Sequence, residues 1–206
     1  MASPLRVASA VKGWILRYPA RRPFQTSALR ALGPRKAVLS ALYRLVACGE
    51  IERVSRGIYV RLETIPPFGK IGAELTDVIE LIMNSKGEKY QTHGAEAVRK
   101  FGLTTQMQVT PVFYTTARSM KIRVYNLTVR FQHAPSFCFQ HTDSVAGLAI
   151  IALYYLGPQD LSLGNISKIL NKLGTQHLQK LQSSEMPSWM RQAISLPLAQ
   201  RIGQAP

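Results

Sequence analysis

Apolar residues recur at intervals of three and four from the start of the chain. Val7, Ala8, Val11, Trp14, Ile15 and Tyr18 form one stripe, with Arg6, Ser9, Lys12 and Arg17 between them. That period is the buried face of a helix, and Pro19 ends it. A shorter stripe, Ala28, Leu29, Ala31 and Leu32, follows Thr26 and Ser27, either of which has an N-cap side chain. Gly33 suits the position just past that element, and Pro34 suits a helix's first turn. Beyond it Val38, Ala41, Leu42, Leu45 and Val46 mark a third helix, closed by Gly49. On its opposite side Lys36, Ser40 and Tyr43 follow one another at helical spacing, with Arg44 beside them and Arg35 in the first turn.

The period then shortens. Ile51, Val54, Ile58 and Val60 flank Ser55-Arg56-Gly57, with glycine where a tight turn needs positive φ. This predicts a basic β-hairpin over 51–61. Three helices, the last two joined tightly, and then a hairpin predict a winged helix-turn-helix over residues 1–62. Ile65-Pro-Pro-Phe-Gly-Lys reads as a linker, 63–70.

Residues 71–206 predict a second domain of α+β type. Leu75, Val78, Ile79, Ile82 and Met83 mark a helix, and Thr92–Phe101 another, ended by Gly102. Residues 109–133 alternate as three short antiparallel strands, broken at Ala117–Ser119 and at Asn126. Thr142 or Asp143 is placed to cap an apolar helix over 144–156, and after Gly157-Pro158 the chain is helical again to about Leu173. A last amphipathic stretch, 176–196, is broken by Pro187 and reads as packing onto this domain. The expected fold class is α+β: an N-terminal winged helix-turn-helix, then a small antiparallel sheet with C-terminal helices.

Charge turns this architecture toward a partner. The 206 residues carry 26 Lys and Arg against 11 Asp and Glu, a net +15. Residues 1–61 hold twelve of those bases and only Glu50 and Glu52, a net +10. Such a field attracts a polyanion. An RNA site would bring an RNP-type aromatic strand or a GXXG clamp, and neither occurs, so double-stranded DNA is preferred. The longest apolar run, Val145–Leu156, has 12 residues, short of the roughly 18 a membrane span needs, and it lacks a basic polar face. No membrane partner is expected. The first 49 residues lack acids, as a transit peptide does, but they resolve into short elements with proper stops, and a cytoplasmic protein is expected.

Catalytic chemistry finds little support. Cys48 and Cys138 belong to no CxxC pair. His133, Cys138 and His141 lack a fourth ligand nearby. His141, Asp143 and Ser144 have the residue types of a hydrolase triad, but triad members converge from separate elements. Neither GxxxxGK[ST] nor GxGxxG occurs. The expectation is no catalytic residue, no metal and no cofactor. Arg35, Lys36, Ser40 and Tyr43 are placed to reach base edges, and Arg56 to touch phosphate.

The stretch from Leu45 to Arg61, LVACGEIERVSRGIYVR, resembles the winged-helix segment of AbiEi-type antitoxins. Two further segments extend the likeness over roughly residues 5–157: Thr92-His-Gly-Ala-Glu-Ala with Phe101-Gly-Leu-Thr-Thr-Gln, and Pro111-Val-Phe-Tyr-Thr-Thr followed by Lys121-Ile-Arg-Val. The resemblance implies a bacterial antitoxin of a type IV, abortive-infection toxin–antitoxin pair. Its N-terminal domain would repress its own promoter, and its C-terminal domain would counteract a nucleotidyltransferase-like toxin, commonly without a stable complex. Carried over by position, the DNA-facing set is Arg35, Lys36, Ser40, Arg44 and Arg56. Residues 176–206 fall outside the likeness. Alternative expectations are a module that binds a toxin or other protein directly, and a solitary transcriptional regulator.

Overall fold

The computed structural model describes residues 4–203; residues 1–3 and 204–206, the outer ends of the two expected domains, lie outside it. Helix α1 (Pro4–Arg17) buries Val7, Val11 and Ile15, the stripe its spacing marks. Each such side chain contributes about 1.5–3 kcal/mol before chain entropy is subtracted. The chain turns at Arg21 (φ 62°) into strand β1 (Pro23–Gln25), which the sequence pattern does not mark, since three residues are too few for alternation to show. A 3-10 helix follows over Thr26–Leu32. Its N-cap is Gln25, and neither Thr26 nor Ser27 caps it. Gly33 ends it where a Cβ would meet Val7 Cγ2 at 2.7 Å, so α1 lies too close for any larger residue.

Helix α2 (Arg35–Ala47), with Pro34 as N-cap, buries Val38, Ala41, Leu42 and Leu45. Strands β2 (Ile51–Ser55) and β3 (Ile58–Arg61) form the expected hairpin, and β3 is central, antiparallel to both neighbours in the order β1-β3-β2. Phe24, on β1, stands opposite Tyr59 and is 2% exposed. Its ring meets Trp14 and Tyr18 edge-on at 5.2 and 5.5 Å, and Trp14 and Tyr18 stack at 4.6 Å. This aromatic group joins α1 to the sheet.

Residues 63–70 are a hairpin rather than an open linker. Strand β4 (Glu63–Ile65) pairs antiparallel with β5 (Gly69–Ile71), Glu63 opposite Ile71. A Pro-Pro-Phe-Gly run marks a turn, and a turn closes a hairpin as readily as it opens a linker. Helix α3 (Leu75–Ser85) follows. The first compact unit therefore extends through Gly87, past the expected boundary at residue 62, and it takes in Arg123–Leu127. Ser55 Oγ donates to Arg123 O at 2.8 Å, and Tyr125 donates its N–H to Val54 O at 2.7 Å and its hydroxyl to Ala73 O at 3.0 Å.

The second unit comprises Glu88–Ile122 and Thr128–Pro206. Strand β6 (Tyr90–Thr92) and helix α4 (Gly94–Lys100) precede the three strands expected from alternation, β7 (Val112–Thr115), β8 (Met120–Val124) and β9 (Leu127–His133). The sheet order is β6-β7-β9-β8. It is not wholly antiparallel, because β7 pairs with β9 in parallel. Local alternation marks strands, but it does not choose their partners.

Helix α5 (Val145–Asp160) is kinked at Gly157 (φ 67°), where Pro158 follows; the part before the kink is apolar on all sides and central, with Ile150, Ile151 and Leu153 fully buried. Its cap is Ser144, whose hydroxyl accepts the Gly147 N–H at 3.2 Å, in place of Thr142 or Asp143. Around it pack α6 (Leu163–Leu170), α7 (Thr175–Ser183) and α8 (Ser188–Gly203). Leu178, Leu181, Met190 and Ile194 are buried, so the terminal stretch is core, and Pro187 lies between its two helices. Among the described residues no helix is long and apolar enough to cross a membrane.

His93 caps α4. Its Nδ1 accepts the Ala95 N–H at 3.2 Å and lies 3.1 Å from Gln108 Nε2, and both contacts require an unprotonated Nδ1. Burial pushes the imidazole below its usual 6.5, against a smaller upward pull from the Gln132 side chain. The unfolded chain therefore binds this proton more readily, and the stability it confers is full above pH 6.5 and is lost as pH falls through the lower folded value. His93→Asn keeps a capping oxygen without a titrating ring. The wild-type melting temperature is expected to fall further than that of His93→Asn between about pH 7.5 and about pH 5.5. Equal falls would contradict the assignment.

Candidate nucleic-acid interface

Burial of one side of α2 commits its other side to solvent. Arg35, Lys36, Ser40, Tyr43 and Arg44 are all exposed there, as their spacing predicts. Tyr43 is 77% exposed, so its ring does no packing work inside the chain. Three ion pairs form among the described residues: Lys12 with Glu50, Arg21 with Glu74, and Arg99 with Glu96. None involves Arg35, Lys36, Arg44 or Arg56, so the charge of these four is open to an outside anion. Arg44 differs from its neighbours, because its Nε reaches back 3.4 Å to Ser40 O and lays the side chain along its own helix.

Arg56 is exposed on the turn between β2 and β3, beside Gly57 at φ 74°. Thr26 donates both its N–H (2.9 Å) and its hydroxyl (3.1 Å) to Gly57 O. The turn is therefore short and held to the start of the 3-10 helix. α2 thus gathers five of the six expected residues on one helix, and Arg56 stands on the hairpin that follows.

The fold adds exposed bases that spacing alone does not single out. Arg30 lies on the 3-10 helix, Arg53 on β2 and Arg22 just before β1. Their only signal in the sequence is charge. Lys12 is engaged within the chain: Glu50 accepts a hydrogen bond from its Nζ at 2.8 Å, and that bond raises its pKa.

The histidine and cysteine candidates go separate ways. Cys138 is buried in the core, and burial pushes its thiol up to about 12. His133 and His141 are exposed, and His133 Nδ1 is 3.1 Å from Ala117 O. Among the described residues no three His, Cys, Asp or Glu side chains gather as a metal-holding group. Cys48, at the end of α2, is exposed. A maleimide added to native protein is expected to label Cys48 alone, with Cys138 reacting only after denaturation. Two adducts on native protein by intact mass would contradict this burial.

A model described as a family of unknown function (DUF6088) matches residues 26–181, more than half the chain and all six residues of the candidate interface. No curated protein matches the chain.

Proposed function

The chain belongs to this family of unknown function, and we propose that it is a DNA-binding repressor of its own promoter that acts as an AbiEi-like type IV antitoxin. The observation that carries the DNA half is the exposed face of α2, where Arg35 and Lys36 have no intrachain counter-ion among the described residues. The order of elements supports a winged helix-turn-helix: α1, β1, the 3-10 helix Thr26–Leu32, α2, then the β2–β3 hairpin as wing.

In this reading α2 lies in the major groove. Recognition helices read base edges from their N-terminal residues, which places Arg35 and Lys36 at the bases, with Ser40 and Tyr43 following. Arg44 and the wing's Arg56 hold phosphates, which fix register and supply the salt-dependent part of affinity. Bases on Arg22, Arg30 and Arg53 extend that term. The protein contributes charge and shape, and no bond is made or broken.

The antitoxin half rests on the AbiEi resemblance. Its test is genetic: a reporter fused to the DNA upstream of this gene, and a growth assay with a co-expressed nucleotidyltransferase-like toxin. Expression of this protein is expected to lower reporter output and to restore growth. An unchanged reporter contradicts the repressor, and unrelieved toxicity contradicts the antitoxin.

A further inference from the structure

The exposed face of the second unit's sheet carries an unexplained concentration of positive charge. Between Ala97 and Thr142 the chain has no Asp or Glu. Strands β8 and β9 are neighbours joined by the two-residue turn Tyr125-Asn126, and a two-residue hairpin brings Lys121 across from Arg130, with Ser119 and Gln132 at the same end. Like charges directly opposite on adjacent strands repel. Neither Lys121 nor Arg130 enters an ion pair among the described residues. Nothing in the sheet's own chemistry offsets that repulsion.

These four residues line one open cleft of about 520 Å³. Val112, paired with Arg130 across β7 and β9, adds an apolar side chain to its wall, while the Phe131 ring is buried against Phe113 on the other face. Ser119 Oγ already accepts the His133 N–H at 3.0 Å, which leaves its own hydroxyl proton to donate. The volume falls in the range of small-molecule sites, about 300–1,000 Å³. The lining is two cations, a hydroxyl, an amide, the His93 imidazole, and the apolar Val112 and Met120.

We propose that this cleft binds a nucleoside monophosphate, its phosphate held between Lys121 and Arg130 and its base against Val112 and Met120. A planar guanidinium grips phosphate oxygens in pairs, while the lysine adds a point charge. The bound phosphate relieves the repulsion between the two strands. The Gln132 side chain already accepts from the His93 ring, which fixes its amide and leaves the NH2 to donate to the edge of the base. This site is independent of the DNA-binding reading, since all of its residues lie in the second unit.

The test uses the full chain with ¹³C-methyl-labelled methionine. Met120 lines the cleft, while Met83 and Met190 are fully buried elsewhere. Met120→Leu identifies the Met120 signal. Titration with the four 5′-nucleoside monophosphates is expected to move the Met120 methyl signal saturably and to leave Met83 and Met190 in place. Lys121→Gln and Arg130→Gln are each expected to weaken binding about tenfold without lowering the melting temperature. The proposal is overturned if none of the four moves the signal, or if both variants bind as wild type does. Adenosine binding as tightly as its monophosphate removes the phosphate contact. Inorganic phosphate binding as tightly as the nucleotides removes the base contact. A response to a single-stranded oligonucleotide alone replaces the pocket with a nucleic-acid surface.

Discussion

Phe24→Ala is expected to destabilise the protein by about 3–5 kcal/mol, the range for truncating a buried aromatic. Phe24 is 2% exposed, and its ring meets Trp14 from α1, Tyr18 just past its end and Tyr59 from the neighbouring strand. Removing it opens a cavity that three large rings border, and rings cannot collapse into a void as aliphatic chains do. The helix and the sheet lose their main shared contact together. Urea denaturation followed by tryptophan fluorescence reads the change, since Trp14 lies 5.2 Å from Phe24. Tyr43→Ala is the matched control, an aromatic lost from an exposed helix face, with a cost expected within about 0.5 kcal/mol. A loss under about 1 kcal/mol for Phe24→Ala would mean that this group does not hold the first unit together.

The second large effect is on DNA. Under the proposed reading, in which each side chain reads a base, Arg35→Ala and Lys36→Ala are each expected to cost about 1–3 kcal/mol on the operator and distinctly less on scrambled DNA. Arg56→Ala is expected to weaken both equally and to flatten the salt dependence by about one unit, the signature of one phosphate. None of the three changes touches the core, and their melting temperatures should match wild type. Fluorescence anisotropy on the two DNAs at several salt concentrations measures all of this. Equal losses on every sequence for all three variants would remove the recognition role from α2 and leave only a basic surface.

These two predictions differ in how far the sequence foreshadows them. The exposed face of α2 is legible because a helix of thirteen residues repeats its pattern often enough to separate Val38, Ala41, Leu42 and Leu45 from Lys36, Ser40 and Tyr43. The hairpin is legible because Gly57 sits between two alternating runs. Phe24 is different. Its strand has three residues, and only the pairing of Phe24 with Tyr59, thirty-five positions away, makes it core. Strand β6 is hidden for the same reason. The parallel pairing of β7 with β9 is hidden by another, because side-chain alternation is the same whichever way a neighbour runs. The Pro-Pro-Phe-Gly run marks a reversal of the chain, but only the pairing of Glu63 with Ile71 shows it to be a hairpin. Within the candidate interface the residue types are legible, and their engagements are not: the Arg44 Nε donates back to Ser40 O.

The DNA-binding reading is tested most directly by a gel-shift titration on the DNA upstream of the protein's own gene, at several salt concentrations, with scrambled DNA as competitor. The account predicts a complex that resists the competitor, tighter than non-specific binding by at least about a thousandfold, and that weakens steeply as salt rises. Weak binding, equal on both DNAs, would contradict it and reduce the first unit to a generic polyanion surface.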